Sequence, residues 1–134
     1  FAFQNHIPER DGILAGLYLL DLMVQTGSTP SELMDTVYGL VGPHYYDRID
    51  RRMTAKKKPA VEALIREAEP KALAGLRVEM IDRRDGYRYC LEDGGWLLIR
   101  FSGTEPVIRV YCETTHEDKV QALLSEGLGL AGLN

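Results

Sequence analysis

The run Tyr87-Arg88-Tyr89-Cys90-Leu91-Glu92-Asp93-Gly94-Gly95-Trp96-Leu97-Leu98-Ile99-Arg100-Phe101 decides the fold. Two strand-like segments, 87–91 and 96–101, flank Asp93-Gly94-Gly95, a strong hairpin signal. Upstream, a strand-like run at 76–82 is joined to the first of these by Asp85-Gly86, a second hairpin signal. Downstream, residues 107–113 read as a fourth strand. Pro59 opens a short helix with Val61, Leu64, Ile65 and Ala68 on one face, and Pro70 ends it. A last helix starts near Thr115, the expected cap reinforced by Asp118, and carries Val120, Leu123 and Leu124. The order from Pro59 onward is α-β-β-β-β-α. It predicts an α+β unit: a four-stranded antiparallel sheet with two helices on one face and the other face open to solvent or a second domain.

The first fifty residues do not fit that unit. Asp11 is placed to cap a helix with apolar residues at Ile13, Leu14, Leu17, Tyr18, Leu20 and Val24, broad enough for burial on more than one side. Gly27 ends it by tolerating a left-handed conformation. Thr29, Pro30 and Glu32 announce a second helix with a capping box, and Leu33, Met34, Val37, Tyr38 and Val41 form its stripe before Gly42-Pro43 stops it. Residues 45–52 read as a lone extended strand, and 53–58, with Lys56-Lys57-Lys58, as a solvated linker. The division expected is therefore 1–52, the helical tail of an α/β domain, and 53–134, the compact α+β domain. The start, Phe1-Ala2-Phe3-Gln4, has neither an initiator Met nor a signal-peptide pattern, and reads as a cut from a longer protein.

Composition narrows the function. The 134 residues are 45% hydrophobic and 27% charged, ordinary for a globular chain. A net charge of -4 argues against nucleic acid as a partner, and no apolar run is long enough to span a bilayer. Cys90 and Cys112 lack zinc-site spacing and read as reduced, buried residues of a cytoplasmic protein.

The residues that carry chemistry are Arg100-Phe101-Ser102-Gly103-Thr104-Glu105-Pro106, with Arg109 on the strand beyond. Ser and Thr hydroxyls, a glycine that permits close backbone approach, and two flanking guanidiniums are what a phosphate dianion requires. The competing reading of spacing alone is a hairpin loop with solvated arginines. His44-Tyr45-Tyr46 reads as packing, and His116 has no partner spacing that suggests a metal ligand.

The string Arg-Phe-Ser-Gly-Thr-Glu-Pro followed by Ile-Arg-Val-Tyr resembles the phosphate-binding loop in the last domain of the α-D-phosphohexomutases, the phosphoglucomutase/phosphomannomutase family. At the other end, Asn5-His6-Ile7-Pro8-Glu9-Arg10-Asp11-Gly12 resembles the stretch just after the family's sugar-recognition loop. The resemblance covers essentially the whole chain: the end of the third family domain, then the fourth, which in the family folds like the TATA-box-binding protein. It implies phosphate-binding roles for Arg100, Ser102, Gly103, Thr104 and Arg109, and substrate-facing roles for His6 and Arg10.

By the same resemblance the whole enzyme is an intramolecular phosphotransferase. It interconverts hexose 1-phosphate and 6-phosphate through a hexose bisphosphate, with a phosphoserine loop and Mg2+ held by upstream domains. Neither the Ser-His-Asn-Pro nor the Asp-x-Asp-x-Asp-Arg run of those domains is present here, so this chain is expected to hold no catalytic residue and no metal, and to be inactive alone. Its expected partners are the phosphosugar and the upstream domains, with self-association through apolar helix surface. The His-x-Pro-Glu-Arg-Asp-Gly form looks closer to phosphoglucomutases than to phosphoglucosamine mutases, with glucose, mannose or both left open. The alternatives are a stand-alone module for a phosphorylated ligand or partner, and a sheet-surface nucleic-acid binder using Tyr87, Tyr89 and Trp96.

Overall fold

The computed structural model describes residues 3, 4 and 6–133, so Asn5 at the head of the His6–Gly12 motif lies outside the described residues. The chain divides into two compact units, Phe1–Gly42 and Pro43–Asn134.

In the first unit the local signals act as read. Helix α1 (Gly12–Thr26) is capped by Asp11, whose Oδ1 accepts the Leu14 N–H at 2.8 Å. Gly27 closes it in the left-handed region at φ 68°. Helix α2 (Pro30–Val41) starts in a complete capping box: Glu32 Oε2 accepts the Thr29 N–H at 2.7 Å while Thr29 Oγ1 accepts the Glu32 N–H. The apolar stripes do not become a core, however. Neither helix contains a buried residue, and Ile13 and Leu40 are 81% and 82% exposed. The broad burial expected of α1 is therefore not supplied by the described residues.

The second unit is built on one sheet of six strands, not four. The strands are β1 (Tyr45–Arg52), β2 (Ala72–Leu73), β3 (Leu76–Asp82), β4 (Tyr87–Leu91), β5 (Trp96–Phe101) and β6 (Val107–Thr114), in the order β1-β6-β5-β4-β3-β2, all neighbours antiparallel. The strand at 45–52, expected to close the first unit alone, pairs along its whole length with β6, from Tyr45 opposite Thr114 to Arg52 opposite Val107. Its poor alternation has a cause: only Tyr45 and Ile49 turn apolar groups toward the core, as befits an edge strand. The linker is also shorter than read. Ala55–Lys57 form a single 3₁₀ turn and helix α3 (Lys58–Glu67) follows directly.

Helix α3 and helix α4 (Val120–Leu130) cover the same face. Val61 and Ile65 of α3, with Val120, Leu123, Leu124 and Leu128 of α4, share one core with Tyr89, Leu91, Leu97, Ile99, Ile108, Val110 and Cys112 of the sheet. Leu64, expected on the buried face of α3, is 54% exposed. The last helix also begins later than its cap signal. A 3₁₀ turn at Glu117–Lys119 precedes α4, and Thr115 serves instead as a donor to Asp93.

Asp93 organises that corner: it accepts from Gly95 N–H, Thr114 Oγ1, Thr115 N–H and Thr115 Oγ1. Partial burial pushes its pKa up, but the hydrogen bonds from Thr114, Gly95 and Thr115 outweigh this and hold the carboxyl below its ordinary value.

Among the described residues, no helix of this unit covers the opposite face of the sheet. There Trp96 lies between Tyr46, at 6.4 Å between ring centroids, and the Arg88 guanidinium, 5.1 Å from its ring centroid. Of the aromatics considered for nucleic-acid stacking, Tyr89 is wholly buried among the core side chains, its hydroxyl donating to the Ile65 carbonyl. Cys90 is half-buried beside Trp96 in register, while burial pushes the Cys112 thiol up to about 11; both thiols are free.

Candidate functional site

The end of the β5–β6 hairpin brings five of the seven residues singled out in the sequence together. Arg100 is the penultimate residue of β5, Arg109 the third of β6, and the register sets them directly opposite one another. Their side chains leave the sheet on the helix-free face, since the neighbouring Ile99, Ile108 and Val110 point into the core. Opposed positions in an antiparallel pair hold Cα atoms about 5 Å apart, so two positive charges are kept close by backbone pairing alone.

The connecting loop, 102–106, is shaped from within. The Ser102 N–H donates to the Val107 carbonyl at 2.9 Å and the Val107 N–H to the Glu105 carbonyl at 2.8 Å. Ser102 itself is buried, and its Oγ accepts the Glu105 N–H at 3.3 Å, so this hydroxyl sets the bend. Gly103 and Thr104 are exposed, and among the described residues their N–H groups and the Thr104 hydroxyl have no protein partner. A Cβ added at Gly103 would meet nothing within 4 Å, and its φ is not positive. The fold therefore does not require glycine at this position, and the backbone there is open to close approach from solvent.

The two guanidiniums rest on carboxylates. Arg100 Nη2 is 3.0 Å from Asp85 Oδ1; Arg109 Nε is 3.5 Å from Asp50 Oδ2, and its Nη2 is 4.0 Å from Glu105 Oε2. The Asp50 contact is Coulombic only: Arg109 Nε is enclosed and makes no hydrogen bond. Asp85 and Glu105 are 78% and 57% exposed, and such surface pairs are worth about 0–1 kcal/mol.

Two parts of this site were not legible in the sequence. Gly86, read only as a turn residue, has φ 92°, and a Cβ on it would stand 2.7 Å from Arg100 Cγ and 2.7 Å from the Ile99 carbonyl oxygen. Arg100 thus crosses the β3–β4 turn over a missing side chain. Asp50, in a segment assigned to the upstream unit, lies opposite Arg109 on β1. A pocket of about 500 Å³ adjoins Arg100, lined by Glu62, Arg66, Arg83, Asp85, Tyr87 and Phe101 among others.

His6 and Arg10 belong to the first unit. His6 Nε2 lies 2.9 Å from Asp11 Oδ2, and Asp11 is held below its ordinary pKa first by the Leu14 N–H and then by His6. Arg10 is exposed, has no carboxylate partner among the described residues, and lines a small recess of about 350 Å³ with Asp11, Gly12 and Ala15. Among the described residues no group of three or more His, Cys, Asp or Glu is placed to hold a metal ion, and no helix is long and apolar enough to cross a membrane.

An antiparallel α+β sheet with helices on one face is consistent with the last domain of the phosphohexomutases, which the loop string resembles. Comparison with known proteins agrees. Residues 49–127 match the phosphoglucomutase/phosphomannomutase C-terminal domain, and residues 1–40 match alpha/beta/alpha domain III of the same group. The chain belongs to the phosphoglucomutase/phosphomannomutase family.

Among its curated relatives, a phosphoglucomutase/phosphomannomutase of Thermococcus kodakarensis is 31% identical over 96% of this chain and 26% of its own length. Phosphoglucosamine mutases of Cereibacter sphaeroides and Methanococcus aeolicus are 38% and 36% identical over 87% and 92% of the chain, and over 22% and 26% of their own lengths. The chain spans about a quarter of the length of these relatives.

Proposed function

We propose that the β5–β6 loop is the phosphate cradle of a hexose-phosphate mutase, an intramolecular phosphotransferase interconverting hexose 1-phosphate and hexose 6-phosphate. The observation that carries this reading is the opposition of Arg100 and Arg109 across one rung of the sheet, beside the open Gly103 and Thr104 N–H groups. Arg100 and Arg109 bind the phosphate that is not reacting, Thr104 and the loop N–H groups complete its coordination, and Ser102 keeps the bend in shape. Arg10, with His6 held by Asp11, is assigned to the sugar.

Holding the remote phosphate supplies binding energy that orients the reacting oxygen at the other end of the sugar. The cradle reads a phosphate and not the shape of a hexose, so either end of a hexose bisphosphate fits it, and an intermediate that turns end for end can be rebound. In this reading the upstream domains hold Mg2+, whose charge offsets that developing on the transferred phosphoryl group. The substrate proposed is a hexose phosphate, of glucose, mannose or both, and the compartment proposed is the cytoplasm. Relatives named for phosphoglucosamine match over nearly the same span, as expected if this loop is indifferent to the sugar.

The test is a full-length mutase bearing this segment. Arg100→Ala is expected to lower kcat/KM on glucose 1-phosphate at least about tenfold, the loss of one charge-assisted anchor. An unchanged kcat/KM would remove Arg100 from the site. The 134-residue chain alone is expected to give no turnover with Mg2+ and a bisphosphate activator, and turnover abolished by Arg100→Ala would overturn the division of labour.

A further inference from the structure

The three lysines before Pro59 are not equivalent. Lys56 and Lys57 are exposed in the 3₁₀ turn, but Lys58, the first residue of α3, is half-buried and directed at the loop. Its Nζ lies 3.5 Å from the Ser102 carbonyl oxygen and 5.7 Å from the centroid of the Phe101 ring. Both are residues of the phosphate-loop motif, reached across more than forty positions of chain. The same short segment also holds the loop's far end, where the Met53 N–H donates to the Pro106 carbonyl at 2.9 Å. Unlike Arg100 and Arg109, Lys58 has no carboxylate partner among the described residues.

A half-buried ammonium without a counter-ion is unfavourable unless something negative comes to it. The Ser102 carbonyl answers part of that need, since its oxygen carries the negative end of a peptide dipole. That same dipole would repel an anion seated in the loop, and the ammonium docked on it cancels the repulsion and adds a net positive charge. The cation–π contact with Phe101 holds the ammonium in place.

We propose that Lys58 is a positioning residue of the phosphate cradle, tuning its field by capping the Ser102 carbonyl with an otherwise unpaired charge. The inference rests on the assignment of the loop as a phosphate site. Helix α3, which follows the edge strand β1, is thereby tied to the anion through Ser102, so a segment distant in sequence from the loop also sets its affinity.

The test titrates the 134-residue chain with inorganic phosphate at several salt concentrations. Lys58→Met is expected to weaken binding about three- to tenfold and to flatten its salt dependence, because one fewer cation acts on the anion. Lys58→Arg is expected to restore both, and Lys56→Met to change neither. If Lys58→Met leaves affinity intact while Arg100→Ala weakens it, the Lys58 proposal falls and the cradle stands. If neither weakens binding, the cradle itself falls. If Lys58→Met and Lys58→Arg weaken binding equally with an unaltered salt dependence, Lys58 is only a strut and the proposal is overturned.

Discussion

Arg100 and Arg109 face each other across the β5–β6 ladder, each resting on a carboxylate from a different strand or turn: Asp85 beyond Gly86 for one, Asp50 of β1 for the other. Like charges directly opposite in a sheet cost about 0.2–1 kcal/mol, and exposed ion pairs return about as much. The arrangement is therefore close to neutral for folding.

The first prediction follows from that balance. Arg100→Met in the 134-residue chain should shift unfolding free energy by no more than about 0.5 kcal/mol, since repulsion and ion pair are lost together. Phosphate affinity should nevertheless fall at least about tenfold. Denaturant unfolding and a phosphate titration on the same sample measure the two effects; a large stability loss with intact binding would mark Arg100 as structural.

Glycine at position 86 supplies a second. Gly86→Ala meets both a positive φ and Arg100 Cγ at 2.7 Å, whereas Gly94→Ala meets only the positive φ with nothing within 4 Å. Left-handed strain alone costs about 1–2 kcal/mol. Gly86→Ala should cost more than Gly94→Ala and should also weaken phosphate binding, because Arg100 must move. Equal costs and equal affinities in the two variants would show that Arg100 does not depend on the turn.

The third concerns acid. A carboxyl whose folded pKa is depressed contributes stability present above its unfolded pKa and lost as pH falls through the folded value. Asp93 is such a group, with net lowering by the Thr114, Gly95 and Thr115 donors despite the opposing effect of burial. Asp93→Ala should destabilise the second unit by about 1–3 kcal/mol at neutral pH, leaving the Thr114 hydroxyl without its acceptor. The deficit should shrink as pH drops below the ordinary carboxylate range. A deficit independent of pH would assign the loss to packing and not to charge.

How far the sequence could be read varied with the range of the interaction. The capping box at Thr29 and Glu32, the Asp11 cap, the Asp85-Gly86 and Asp93-Gly94-Gly95 turns and the loop from Arg100 to Pro106 all stand where local chemistry put them. Residues 45–52 misled because their alternation is weak on an edge strand, and only pairing with β6 gives them a place. Thr115 offered a helix cap, but the Asp93 carboxylate competed for it and won. Lys58 carried no signal apart from its neighbours, since three consecutive lysines look alike until one of them is folded toward Ser102.

What the sequence determined by itself is much of what is settled within a few residues: the caps of α1 and α2, the hairpin turns and the composition of the β5–β6 loop. These follow from φ preferences and hydrogen bonds between near neighbours. What only the tertiary structure decided is which distant groups meet: β1 with β6, Asp50 with Arg109, Arg100 over Gly86, Lys58 on Ser102. Those contacts depend on strand register and on how far a side chain reaches across a packed surface, and neither is written in the spacing of residues along the chain.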